Sequence, residues 1–123
     1  MKTLTKNPEL LQELQAFPDL EGAPEEALQW LIEKSDYLHL DTGEYLFKKG
    51  NPTDHLELVL AGKLLIKFEQ NGEVREFGTS EVGAITGVLP FSRLKEARGF
   101  GQVIEPMRIL RLHRDFFTEM VNV

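Results

Sequence analysis

Arg93, Lys95 and Arg98 form the densest run of positive charge in a chain whose formal net charge is −6. They lie in a glycine-rich stretch, Val82 to Gly99, that also carries Thr86 and Ser92. A guanidinium offers a planar fork of N–H donors to an oxyanion, so this cluster suits the binding of a small anion. The competing reading is a solvated loop whose exposed charges carry little energy. Thr86 and Ser92 either donate hydroxyls to a ligand or bond their own backbone.

Other chemistries lack their residues. His39, His55 and His113 are far apart and form no His-x-His or His-x-x-x-His pair, so the clustered ligands of a cupin-like metal enzyme are not in view. There is no Gly-x-Ser-x-Gly elbow, phosphate-cradling Gly-Lys-Ser/Thr loop or acid-rich metal loop. The expectation is a protein that is not an enzyme, with no catalytic residues, no metal and no cofactor. Arg108, Arg111 and Arg114 share a three-residue spacing, but in a strand 108 and 111 point to opposite faces, which breaks up any nucleic-acid stripe.

The chain has 123 residues, enough for one domain, with 41% hydrophobic and 28% charged residues, near globular averages. The absence of cysteine removes disulfides, thiolate metal sites and cysteine nucleophiles, and with them the signature of a secreted scaffold. A cytoplasmic location is expected. The longest apolar runs, such as Leu58 to Ala61, are far short of the roughly 20 residues of a membrane span, and no apolar stretch follows the basic N-terminus to make a secretory signal. Neither a membrane nor a nucleic acid is an expected partner, because the acid excess repels phosphate backbones. That excess is uneven: residues 1–44 hold three Lys against ten acids, whereas residues 93–123 hold six bases against four acids.

The elements that must position these residues are legible from spacing. Asn7 is expected to cap a helix bearing Leu10, Leu11, Leu14 and Phe17, ended by Pro18. A second helix starts near Ala23-Pro24-Glu25-Glu26 and buries Ala27, Leu28, Leu31 and Ile32; Trp30 on it reads as core rather than as a stacking platform. After Ser35 the period becomes two. Tyr37–Leu40, Tyr45–Phe47, Leu56–Leu60, Leu64–Phe68, Val74–Phe77 and Arg108–Leu112 read as short strands, separated by turns at Asp41–Glu44, Lys49–Pro52, Ala61–Lys63 and Asn71-Gly72. Residues Arg114 to Val121 begin a terminal helix whose Phe116, Phe117, Met120 and Val121 either pack on the barrel or form an exposed half-interface.

The run from Asp41 to Gly62, with its glycines at 43, 50 and 62 and the alternating strand between, resembles the cyclic nucleotide-binding domain of catabolite-activator regulators, cyclic AMP-dependent kinases and gated channels. The likeness extends to Asn71-Gly72, Gly83 and the strand Ile109–Leu112 followed by Asp115-Phe116, and covers residues 10 to 120. It implies a mainly β fold, a double-stranded β-helix or jelly-roll barrel of about eight strands with flanking N-terminal and C-terminal helices. One domain fills residues 1–123: helices over 1–36, barrel over 37–113 with a ligand cassette at 82–99, and the start of a C-terminal helix over 114–123.

In that family a Gly-Glu pair opens the cassette and binds the ribose, and an arginine further on pairs with the cyclic phosphate. The resemblance therefore implies ligand-binding roles for Gly83, Ala84, Ile85, Thr86, Arg93, Arg98 and Gly99, with Ala84 where the Glu is expected. Counting forward from Gly83 favours Arg93 as the phosphate partner, and counting back from Ile109 favours Arg98. The implied function is regulatory sensing of a cyclic nucleotide or other small anionic effector in a bacterial signalling protein. The signal would pass to an effector domain after Val123, with homodimer contacts through the C-terminal helix. The alternative is a degenerate domain that binds no ligand and serves protein interaction or dimerisation.

Overall fold

Alternating apolar residues and glycine turns build a mainly antiparallel β fold in the computed structural model, which describes residues 1–52, 54–87 and 99–120. The chain opens with strand β1 (Lys2–Thr3), helix α1 (Glu9–Gln15), a single 3-10 turn (Pro18–Leu20) and helix α2 (Glu25–Lys34). Five longer or central strands follow in order: β2 (Asp36–Leu40), β3 (Tyr45–Phe47), β4 (His55–Gln70), β5 (Glu73–Ser80) and β6 (Ile85–Gly87). Strand β7 (Gly99–His113), a 3-10 turn (Arg114–Phe116) and the short helix α3 (Phe117–Met120) complete the described chain. All the pairings are antiparallel, in the order β1-β2-β7-β4-β5, with β3 on β7 and β6 on β4. This is the jelly-roll class expected, with seven strands rather than eight among the described residues. No helix among these residues is long and apolar enough to cross a membrane.

Three local expectations are corrected. Asn7 gives α1 no side-chain cap; its backbone carbonyl accepts from Leu10 N–H at 3.2 Å instead, and Pro8 starts the helix. Ala61–Lys63 is not a turn between two strands but a bulge inside β4. The register with β7 shifts around residues 59–64, and Gly62 adopts φ +90°. A Cβ at that position would stand 2.2 Å from the Pro106 carbonyl oxygen, so the two chains approach closely there because residue 62 has no side chain. Finally, β7 starts at Gly99, well before Arg108. Gly101 faces the Phe47 ring, and Gly99 faces the Lys67 carbonyl. Asn71-Gly72 does make the two-residue hairpin between β4 and β5, with both residues at positive φ (56° and 79°).

The bulge decides which residues face inward. Before it, Leu56, Leu58 and Leu60 pack with Leu10, Leu14, Leu28, Leu31 and Leu110 in a layer between the sheet and the two N-terminal helices. Val59 on the opposite face joins Leu38, Leu40, Val103, Met107 and Ile109 inside the barrel. The odd residue added at the bulge moves the inward face to even numbers, so Leu64 and Ile66 continue the interior.

Arg108 ties the helical layer to the barrel. Its guanidinium donates to Glu13 Oε1 at 2.7 Å and to Tyr37 Oη at 2.7 Å, and the Glu13 bond above all holds it charged. Arg111 takes the opposite face and enters the barrel, as strand alternation requires. At the C-terminus Phe117 is buried in the helical layer, and Phe116 meets Trp30 edge to face at 6.5 Å. These two residues pack on the fold; Val121 lies outside the described residues.

Candidate functional site

Residues from the five strands β3 to β7 line a cleft in the barrel interior. It has a volume of about 630 Å³, the size of small-molecule sites, and its apolar wall includes Leu46, Phe47, Ile66, Phe68, Phe77 and Ile85. Phe68 on β4 and Phe77 on β5 meet edge to face at 5.1 Å, and Phe77 is 73% exposed.

The polar wall is one row of the sheet. Glu57 on β4 pairs in register with Thr86 on β6 and with Arg111 on β7, so three side chains from three strands stand side by side on the barrel face. Thr86 Oγ1–H donates to Glu57 Oε2 at 3.2 Å, and Arg111 Nε lies 4.0 Å from Glu57 Oε1, too far for a hydrogen bond. Glu57 is 5% exposed. Burial pushes its carboxyl up to about 7; Arg111 and Thr86 pull it down, and the Asp54 charge adds to the rise. Gly87 closes the row: a Cβ there would stand 2.2 Å from Glu57 Oε2 and 2.4 Å from the His55 carbonyl oxygen.

Next to this row His55 and His113 are register partners with rings 4.9 Å apart, a meeting that their spacing in sequence gave no sign of. Burial, and secondarily the positive charge of Arg111, lowers the His55 pKa and favours the neutral ring. Its Nδ1 contacts Asp54 Oδ1, and that carboxylate opposes the lowering without cancelling it. Among the described residues Arg111 Nε is buried without a hydrogen-bond partner. No group of three or more His, Asp or Glu among them converges as a metal ion would require.

The sequence-derived candidates fall in three places. Ile85, Thr86 and Gly99 line the cleft. Gly83 and Ala84 do not; they form the turn into β6, where Gly83 N–H donates to Val59 O and Ala84 O accepts from Val59 N–H, both at 3.0 Å, and Ala84 packs on the barrel core. Arg93 and Arg98, with Ser92 and Lys95, lie outside the described residues. Glu57 and Gly87 were not singled out from the sequence, and His55 and Arg111 were weighed there only as a metal ligand and as part of a basic stripe. Only the isolated acid in Leu56-Glu57-Leu58-Val59 could have drawn attention, and it reads as an outward position.

Comparison with known proteins bears on this geometry. A family profile described as "Cyclic nucleotide-binding domain" matches residues 37–123. Among solved structures, the sensor domain of the transcriptional regulator DNR from Pseudomonas aeruginosa superposes with a TM-score of 0.79 at 20% identity, over 90% of this chain and 75% of that one. The regulatory domain of Toxoplasma gondii PKA, crystallised with cAMP, gives 0.80 at 18% identity over 94% and 46%. The regulatory subunit of a cAMP-independent protein kinase A from Trypanosoma cruzi, bound to guanosine, gives 0.82 at 18% identity over 91% and 40%. At these identities the likeness establishes the fold, and the chain spans less than half of either kinase subunit. A comparison with curated proteins returns no match.

Proposed function

The chain belongs to the cyclic nucleotide-binding domain family, and we propose that it is a regulatory sensing domain whose cleft takes a cyclic nucleotide or another small anionic effector. Its host is a cytoplasmic bacterial signalling protein, and occupancy of the cleft is passed to an effector domain following Val123.

The observation that carries this reading is the position of the cleft. Gly87 and Gly99 both line it, and the connection between them, residues 88–98, carries the chain's positive cluster. Arg93 and Arg98 are the residues offered for an anionic group, whichever of the two engages it; Gly83 and Ala84 contribute through the backbone of the turn that sets β6. Two neighbours of the same fold were crystallised with cAMP and with guanosine, so the fold accepts ligands of nucleoside size. A ligand shifts a conformational equilibrium only by its differential affinity for two states, so sensing requires the cleft to differ between them.

Calorimetric titration with cyclic AMP and cyclic GMP, repeated on Arg93→Ala and Arg98→Ala, tests the reading. Saturable binding, weakened about 10- to 100-fold by one of the two substitutions, is expected from loss of a charge-assisted bond. No binding by the unaltered chain at millimolar ligand overturns it.

One observation favours a second reading, a domain used for interaction without a ligand: β5 leaves Val74 and Phe77 59% and 73% exposed, and Val82 beyond it is 65% exposed. Sedimentation over a range of concentrations tests this, and a strict monomer whose Phe77→Ser variant behaves identically counts against self-association.

A further inference from the structure

The row of Thr86, Glu57 and Arg111 has a chemistry that anion binding does not use. An oxyanion seated there would face Glu57, a buried carboxylate with Asp54 close enough to add to its charge. Where Glu57 is ionised, like charges brought together away from water repel strongly, so the anionic part of a ligand points away from this row. What the row does offer is a set of unfilled valences side by side. Glu57 Oε2 is taken by Thr86, while Oε1 stands 4.0 Å from Arg111 Nε. Arg111 Nε is buried and without a partner among the described residues. A buried N–H left unmade is costly, and native proteins rarely leave one without a reason. An acceptor and a donor thus adjoin each other on two residues that line the cleft, beside flat apolar surfaces from Phe47, Phe68 and Phe77, and the covered Nε–H reaches a ligand when the Arg111 side chain turns toward it.

We infer that this row is a ring-reading subsite, in which Glu57 and Arg111 receive the edge of an uncharged nitrogen heterocycle that carries an N–H donor beside a carbonyl acceptor, as a guanine-type lactam does. Glu57 Oε1 accepts from the ring N–H, and Arg111 Nε–H donates to the carbonyl. Guanine fits better than adenine. It presents its carbonyl, ring N–H and amino group in sequence, so Glu57 Oε1 can accept from both adjacent donors while the guanidinium takes the strong acceptor. Adenine presents one amino donor beside a weaker ring-nitrogen acceptor and leaves the row less complete. Hydrogen-bonding sites discriminate sharply against ligands that leave their buried groups unpaired. The aromatic side chains supply stacking or edge contact to either base, so they set affinity rather than choice.

The inference rests on reading the cleft as a site for nucleoside-like ligands, and nucleosides separate the two because they carry no phosphate. The full chain is titrated with guanosine, adenosine, cyclic GMP and cyclic AMP, and the titrations are repeated on Glu57→Gln and on Thr86→Val, which removes the hydroxyl that orients Glu57. Expected are tighter binding of guanosine than of adenosine, a loss of about 10-fold or more for guanosine in Glu57→Gln, and a smaller loss in the same direction for Thr86→Val. Adenosine should change less than about twofold on either substitution, since it makes less use of the row. If guanosine binds and the cyclic nucleotides bind no tighter, the anionic reading fails and the subsite stands. If cyclic GMP and cyclic AMP bind equally and neither depends on Glu57, the subsite is overturned and the anionic reading stands. No binding of any of the four at millimolar concentration overturns both.

Discussion

Glu57 and Arg111 face each other across the β4–β7 register with Oε1 and Nε 4.0 Å apart, near enough to feel each other's charge and too far to share a proton. The attraction is incomplete, and burial outweighs it, so the carboxyl titrates at about 7.

That value makes stability depend on pH with a definite sign. Between the unfolded carboxyl value near 4.5 and about 7, the folded chain holds a proton on Glu57 that the unfolded chain has released. Stability therefore falls as pH rises through this window and levels off above it, by up to about 3 kcal/mol in all. The groups facing Glu57 are Thr86 on β6, Arg111 on β7, and Asp54 and His55 on its own side. His55, with its pKa lowered, works in the opposite direction and loses stability as pH drops below about 6.5. Urea denaturation of the unaltered chain and of Glu57→Gln from pH 5 to 8 isolates the Glu57 share. The substituted chain should gain relative stability as pH rises to about 7 and hold that gain to pH 8, and a pH-independent difference would refute the assignment.

Gly62 and Gly43 separate backbone strain from close approach. Both have positive φ, +90° and +94°, but a Cβ on Gly43 meets nothing within 4 Å, whereas on Gly62 it would stand 2.2 Å from Pro106 O. Gly43→Ala should cost roughly 1–2 kcal/mol from backbone conformation alone. Gly62→Ala should cost more than that, because the β4–β7 bulge must open as well. Equal midpoints in thermal denaturation would show that the bulge does not depend on the contact.

Arg108 offers a third test. Its two-pronged contact with Glu13, together with the Tyr37 bond, joins α1 to β7. Both charged side chains are about one-third exposed, which limits the contribution of the pair to about 1 kcal/mol. Arg108→Lys keeps the charge but loses the fork and should cost most of that amount. In a double-mutant cycle with Glu13→Gln, zero coupling would show that the contact contributes nothing.

Most strands and both N-terminal helices were legible because their faces differ: Leu10 and Leu14, or Leu56, Leu58 and Leu60, repeat at the period of the element that buries them. Glu57 was not legible for the same reason. In a strand with one covered face, an acid between two leucines points to water. Here helices cover one face of β4 and the barrel closes over the other, so the alternation that marks Glu57 as exterior places it inside. The first half of β7 carries Gly99, Gly101 and Pro106, residue types that interrupt the apolar alternation marking the other strands. The two glycines are instead where Phe47 and the Lys67 carbonyl come close. Of the ligand residues inferred from the resemblance, Ile85, Thr86 and Gly99 come together in the cleft wall, and Gly83 and Ala84 stand in the turn before it. Counting residues along a chain fixes order but not which side of a turn a residue occupies.

The most direct test of a ligand-sensing cleft is an amide ¹H–¹⁵N titration of the chain with cyclic GMP, assigned residue by residue. A ligand-sensing cleft should give saturable shifts concentrated at His55, Glu57, Thr86, Gly87, Gly99 and Arg111, with the exposed face of α2 unmoved. Shifts confined to the helical face, or none at millimolar ligand, would contradict it.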